Sequence, residues 1–276
     1  MKEKFLTKNS DGSVVLNIPA GATPQEPVIV TCVDNDQQLT IAAEEEAHAT
    51  VFLDLQSARY SVDAAVDRNA ELTIVCLQHG VTSDVVVTQK GRVAEGGSIH
   101  WINVTLGSNV SQKLTSEASG PDAKSDIDWI FLAHGTDRQN IAAQNTFFAS
   151  RGSGEITMRG IARDRGIAEC KGMIIIGPKG SGTDTYLTQN VLMLDPTAKV
   201  DAVPGLEIKT NDVKASHSAS VSRITAEDLF TFTARGIEEE DARSMLIEGF
   251  LGEMIGKIAD AGVRGVVEEA VRATSC

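Results

Sequence analysis

The chain has 276 residues, 42% of them hydrophobic, and a formal net charge of −13 with a pI near 4.8. That is enough apolar material for a sizeable buried core, while the acidic balance opposes the counterion-releasing surface that nucleic acid requires. No run approaches the ~20 apolar residues of a membrane-spanning helix, and Met1-Lys2-Glu3-Lys4-Phe5-Leu6 leads into polar residues, not into the apolar stretch of a signal peptide. The expectation is a cytoplasmic protein with neither a nucleic-acid nor a membrane partner.

Aromatic residues make up only 4%, so the core must be built mainly from Val, Ile, Leu and Ala, which suit regular stacked layers. Residues 13–223 alternate short apolar runs with Gly, Asn, Asp and Pro clusters, a β pattern. One rhythm repeats there, a turn followed by an apolar strand: Glu45-Glu46-Ala47 before Val51-Phe52-Leu53, Arg68-Asn69-Ala70 before Ile74-Val75-Cys76, Glu95-Gly96-Gly97 before Trp101-Ile102. Aligning Ala47, Ala70 and Gly97 gives offsets of 23 and 27 residues, which match one coil of a solenoid whose coils bury their inward side chains on each other. A sandwich would need tight hairpins, yet Asp11-Gly12 stands almost alone as a two-residue turn signal.

Four cysteines, Cys32, Cys76, Cys170 and Cys276, are far apart with no CxxC pair, which argues against a structural zinc site. Cys32 and Cys76 sit in strand-like apolar runs and read as core thiols. In Gly166-Ile167-Ala168-Glu169-Cys170-Lys171-Gly172 small residues alternate with charged ones, which turns Cys170 inward.

All seven prolines precede residue 224, and residues 225–276 show helical spacing. Thr225-Ala226-Glu227-Asp228 predicts a capped helix start, and Gly236 a stop. Glu238-Glu239-Glu240-Asp241 predict the acidic first turn of a second helix. Its apolar stripe is predicted as Ala242, Met245, Leu246, Phe250, Met254, Ile258 and Ala261, interrupted by Gly249, Gly252 and Gly256. Such glycines weaken a helix by about 1 kcal/mol each, so a closely packed neighbour is expected, either the β body or a partner. This tail holds 11 acidic and 5 basic side chains.

Catalytic patterns are absent. Asp126, Asp128, Asp137, Asp164, Asp184 and Asp195 are scattered without motif spacing, and no nucleophile elbow or phosphate loop occurs. A polysaccharide-active β-helix enzyme and a purely structural, self-associating β-helix stay open as alternatives, as does a hydrolase built on His217 with Asp212 or Ser216.

Two stretches carry a family resemblance. One runs from Asn190-Val191-Leu192-Met193-Leu194-Asp195-Pro196 through Pro204-Gly205-Leu206-Glu207-Ile208 to Asp212-Val213-Lys214-Ala215-Ser216-His217. The other comprises Asp228-Leu229-Phe230, Ala234-Arg235-Gly236-Ile237, Ala242-Arg243 and Glu248-Gly249-Phe250-Leu251. In this order and spacing they resemble the C-terminal half of the SufB/SufD family of iron-sulfur cluster assembly proteins, in a minimal SufD-like form.

The resemblance implies an all-β fold, a right-handed parallel β-helix core over 1–224, with a helical tail over 225–276. It implies a non-catalytic scaffold or scaffold-partner subunit, paired through its C-terminal coils as a homodimer or a SufB/SufD-type heterodimer. ATP hydrolysis falls to a SufC-like ABC ATPase docked on the tail, with Phe230, Arg235, Ile237, Met245 and Phe250 as the contact region. A transient iron-sulfur cluster or iron would be held by His217, with Asp212 and Glu207 and with Cys170 or Cys276 as thiol donors. Ala215 and Ser218 stand where the family often has Cys and Gly, and no Cys lies within 183–190, so a labile site is expected, not a stable chromophore.

Overall fold

Buried and exposed side chains alternate along many of the strands, as in Val85–Val93, where each second residue is buried. The computed structural model describes residues 5–10, 12–81 and 83–275. Its strands in chain order are β1 (Leu6–Lys8), β2 (Val14–Ile18), β3 (Val28–Cys32), β4 (Gln37–Ala43), β5 (His48–Leu55), β6 (Arg59–Val66), β7 (Glu71–Gln78), β8 (Val85–Val93) and β9 (Ser98–Leu106). Then follow β10 (Val110–Ala118), β11 (Lys124–Ala133), β12 (Arg138–Phe147), β13 (Ser153–Ala162), β14 (Ile167–Ile176), β15 (Thr183–Met193), β16 (Lys199–Ile208) and β17 (Val213–Arg223). The even-numbered strands stack in one sheet, with β1 at its edge, and β3 to β17 of the odd series stack in the other; every pairing is parallel except β1 on β2. This is the expected β-helix, each coil contributing one strand to each sheet.

Corners between the sheets explain why the repeat looked irregular. Glu46, Asn69, Gly96, Asp122, Arg151 and Gly182 all take positive φ, and each donates its N–H to a carbonyl of the next coil, from Arg68 through Asp212. The spacing between these residues is 23 from Glu46 to Asn69 but 31 from Arg151 to Gly182. Strands lengthen in step, from 5 residues in β2 to 11 in β15, so the coil widens toward the C-terminus.

Inward side chains form one continuous apolar core, which includes Cys32, Cys76 and Cys170 as expected. Few but large aromatics fill the wider coils, and small residues face them. A Cβ on Gly160 would lie 1.9 Å from the Phe131 ring, so only glycine fits there.

The outward faces differ. On the even sheet they are polar, with Thr88, Lys90 and Arg92 of β8 exposed. On the odd sheet the second half of several strands is apolar outside as well as inside: Val75 and Leu77, Ile102 and Val104, Ile130 and Leu132 are all buried. The tail covers that face. Its helices are α1 (Ala226–Thr233), α2 (Glu239–Ile255) and α3 (Ala261–Ser275). Ile247, Leu251, Met254, Ile255, Ile258, Val263, Val267 and Val271 join the outward residues of β7, β9 and β11 in a second core.

Thr225 and Asp228 form the expected capping box, and α2 opens on Glu239, Glu240 and Asp241. The apolar stripe needs correction. Helix α2 ends at Gly256, so Ile258 and Ala261 lie beyond it, and the buried face runs through Ala242, Ile247, Leu251, Met254 and Ile255. Met245 points outward and is 51% exposed, because it lies with Gly249 and Gly252 on the face of α2 turned away from the odd sheet. Among the described residues no helix is long and apolar enough to cross a membrane.

Candidate functional site

The last coil, β16 with β17, pairs on one side only, so its outer edge and its inward side chains have no coil stacked on them. In β17, His217 lies in register with Leu187, a fully buried inward residue of β15, so His217 occupies the inward column. It is nevertheless exposed, since the column ends there. The same holds for Ile208 and Val221, in register with buried Ile176 and Val191 yet 42% and 44% exposed.

His217 differs from the other histidines. His48, His79, His100 and His134 each face a carboxylate, Glu71, Asp54, Asp128 and Asp137, at 3.2, 3.0, 2.7 and 3.6 Å. The His217 side chain has no hydrogen-bond or ionic partner among the described residues. A neutral imidazole in that position keeps a nitrogen lone pair available for a soft or borderline cation.

Its expected companions are placed differently. Asp212 sits at the corner before β17 and accepts a hydrogen bond from Ser181 Oγ at 2.6 Å. Glu207 is in register with Ile175, on the outer face of β16, and pairs with Lys209 at 2.7 Å. Cys170 lies one coil below the open end, fully buried. Its thiol is pushed up to about 12 by burial and then by the charge of Asp201, which keeps it protonated and inert in this state. Cys276 lies outside the described residues. Among the described residues no three of His, Cys, Asp and Glu are grouped to hold a metal ion. One chain therefore offers a single free imidazole at an unfinished edge.

The tail presents a second surface. Phe230 on α1 is 67% exposed, the highest among the large hydrophobic residues described, and Arg235 is exposed beside it. Ile237 and Phe250 are half-buried. Phe250 carries the guanidinium of Arg159 5.4 Å above its ring, and Arg159 also binds the Phe250 carbonyl at 3.1 Å and Glu253 at 2.7 Å. Gly249 and Gly252, on the outward face with Met245, would meet nothing within 4 Å if given a Cβ.

Sequence reasoning missed one charged cluster. Beside the tail, a groove of about 670 Å³ is lined by His100, Lys124, Asp126, Asp128, Glu155, Asp184 and Lys257, among others. Asp128 is almost fully buried, with His100 Nε2 2.7 Å from one oxygen and Lys257 Nζ 2.7 Å from the other. Burial alone would push its carboxyl up, but the bonds and charges of His100 and Lys257 outweigh it and hold the carboxyl below the usual range. Both oxygens are engaged, so the trio clasps the tail to the sheet. Its signal was the 28-residue spacing of His100 and Asp128, about one coil.

Comparison with known proteins agrees with this fold. The family described as SUF system FeS cluster assembly, SufBD core domain, matches residues 33–250. Similar proteins include an iron-sulfur cluster assembly SufBD family protein of Mycobacterium leprae, 28% identical over 60% of this chain and 19% of that protein. Others come from Staphylococcus saprophyticus, 28% identical over 69% of this chain and 41% of the relative, and Staphylococcus aureus, 26% over 80% and 48%. The chain spans less than half the length of these relatives. With a parallel β-helix, a helical tail and a match over most of its length, the chain belongs to the SufBD family of the SUF system.

Proposed function

We propose that this chain is a non-catalytic component of iron-sulfur cluster assembly, a scaffold or scaffold-partner subunit. Its open C-terminal coil pairs with a second β-helix subunit, either another copy or a homologous chain. At that junction His217 contributes one ligand to iron or a nascent cluster, which is cargo in transit. The second chain supplies the remaining donors, because Asp212 and Glu207 are engaged locally and Cys170 is buried. The observation that carries this reading is His217 itself: an unpaired imidazole in the inward column of a coil with nothing stacked on it. Uncovered Ile208 and Val221 beside it support pairing at the same edge.

A SufC-like ATPase docks on the tail's outward surface, through Phe230, Arg235, Ile237 and Met245, with the rim of Phe250. The support is that α2 and α3 are already committed to the odd sheet through their other face, which leaves α1 and outer α2 displayed. The first test is anaerobic reconstitution of wild type and His217→Ala with ferrous iron and sulfide, following absorbance, bound metal and oligomeric state. Lower occupancy in the variant with an unchanged assembly is expected. Equal occupancy would remove His217 from the site. Copurification with the ATPase, with and without residues 225–276, tests the docking role, and unchanged association would place that interface elsewhere.

A further inference from the structure

The two ends of the solenoid are built differently. At the C-terminal end the inward residues Ile208 and Val221 are uncovered. The first coil, β2 with β3, also has no coil stacked beyond it, since β3 ends the odd sheet and only β1 lies outside β2. Its inward residues are Val14, Leu16 and Ile18, in register with Leu39, Ile41 and Ala43, and Val28, Val30 and Cys32, in register with Val51, Leu53 and Leu55. None of these six is more than 5% exposed.

The segment before β2 helps to cover them, as terminal units of a stacked fold must hide the core they would otherwise expose. Phe5 and Leu6 pack on that core, together with Ala22 from the loop between β2 and β3. Strand β1 runs antiparallel to β2 with Leu6 opposite Leu16, and the Asn17 N–H donates to the Phe5 carbonyl at 2.9 Å. Lys8 meets Asp34 at 3.5 Å, which ties β1 to the turn that follows β3. Another parallel coil would need a parallel edge of matching length to stack on. Here β1 offers three residues in the reverse sense and carries a lysine, features that discourage edge pairing.

Coil size sets the same limit. Strands β2 and β3 have 5 residues each, whereas β16 and β17 have 10 and 11. The wide end of one chain placed on the narrow end of another would leave both wide strands unmatched over much of their length. We propose that β1, with Phe5 and Leu6, is a stop that closes the narrow end to stacking, so that copies of this chain join only wide end to wide end. Such a contact is closed by two chains, whereas a head-to-tail contact would propagate into a filament. The self-associating β-helix left open by the sequence is thereby limited to a pair. That count of two rests on the pairing proposed for the open coil, but the stop itself does not.

The test is sedimentation velocity over a range of concentrations on the wild type and on a chain that begins at Val14, each with and without Val221→Lys at the opposite end. Phe5→Ser with Leu6→Ser in the full chain replaces the shortened form if circular dichroism shows that it does not fold. Uncapped chains are expected to grow past two as concentration rises, while the wild type does not. Adding Val221→Lys should return them to two at most, because narrow ends then pair only with each other. Folded uncapped chains that keep the wild-type state overturn the proposal, as does a wild type that itself grows past two. Growth that Val221→Lys leaves unchanged overturns it too, since that is aggregation and not stacking at the ends. If the wild type stays single throughout, only the pairing at the open coil fails; uncapped chains that then form pairs still uphold the stop, and uncapped chains that stay single refute it.

Discussion

Replacing Gly249 and Gly252 by alanine should strengthen the tail and weaken its use. Both glycines lie inside α2, and a Cβ at either meets no atom within 4 Å, so the substitution adds no clash and loses no contact. What remains is helix propensity, about 1 kcal/mol per site in favour of alanine. For α2 that means amide hydrogen exchange slower by roughly fivefold per substitution, or about thirtyfold for the pair, since 1.4 kcal/mol is a factor of ten. On the proposed docking surface the same methyl groups stand where a partner approaches closely beside Met245, so copurification with the ATPase should fall as the helix becomes more protected. Faster exchange in the double variant would refute the reasoning, because it would mean that the glycine face packs within the chain. Full ATPase association with slowed exchange would leave the helix argument standing and move the partner off this face.

Further predictions follow from other contacts. Gly160→Ala should destabilise the middle coils by at least about 1–3 kcal/mol, read by chemical denaturation, because the new methyl group overlaps the Phe131 ring. Asp128→Asn should loosen the tail by about 1–3 kcal/mol at neutral pH, seen as faster exchange in α3. The carboxyl of Asp128 is depressed in the folded state, so its stabilisation is present above the ordinary aspartate pKa of about 4 and is lost as pH falls through the lower folded value. The asparagine variant should lack that acid-side loss, and an identical acid limb in both proteins would contradict the clasp. His217→Ala should change thermal stability by less than about 0.5 kcal/mol, as fits an exposed side chain without a partner, so that any loss of iron reads as ligand loss.

Much of the fold was legible locally. The alternation in β8, the small residues of 166–172, the capping box at Thr225 and the acidic start of α2 depend on neighbours a few residues away, and all stand as read. The repeat was visible at Ala47, Ala70 and Gly97 but looked irregular, because the coils themselves lengthen. Helix α2 shows where local reading stops. The chain writes two candidate packing faces, the predicted one that includes Met245 and the one through Ile247, Leu251 and Met254. Only the apolar outer half of the odd sheet selects which is buried.

The candidate site divides along the same line. Sequence alone singled out His217, through residues that resemble one family, and turned Cys170 inward, because both readings rest on order along the chain. Tertiary structure decided what those residues can do. It left His217 uncovered because no coil follows β17, sealed Cys170 beneath the last coil, and set Glu207 on the opposite face of β16. It also joined Asp128 to Lys257, 129 residues away. Exposure, pairing and thiol reactivity depend on what stacks above a side chain, and in a solenoid that neighbour comes from a coil some thirty residues distant or from a tail folded back across the sheet.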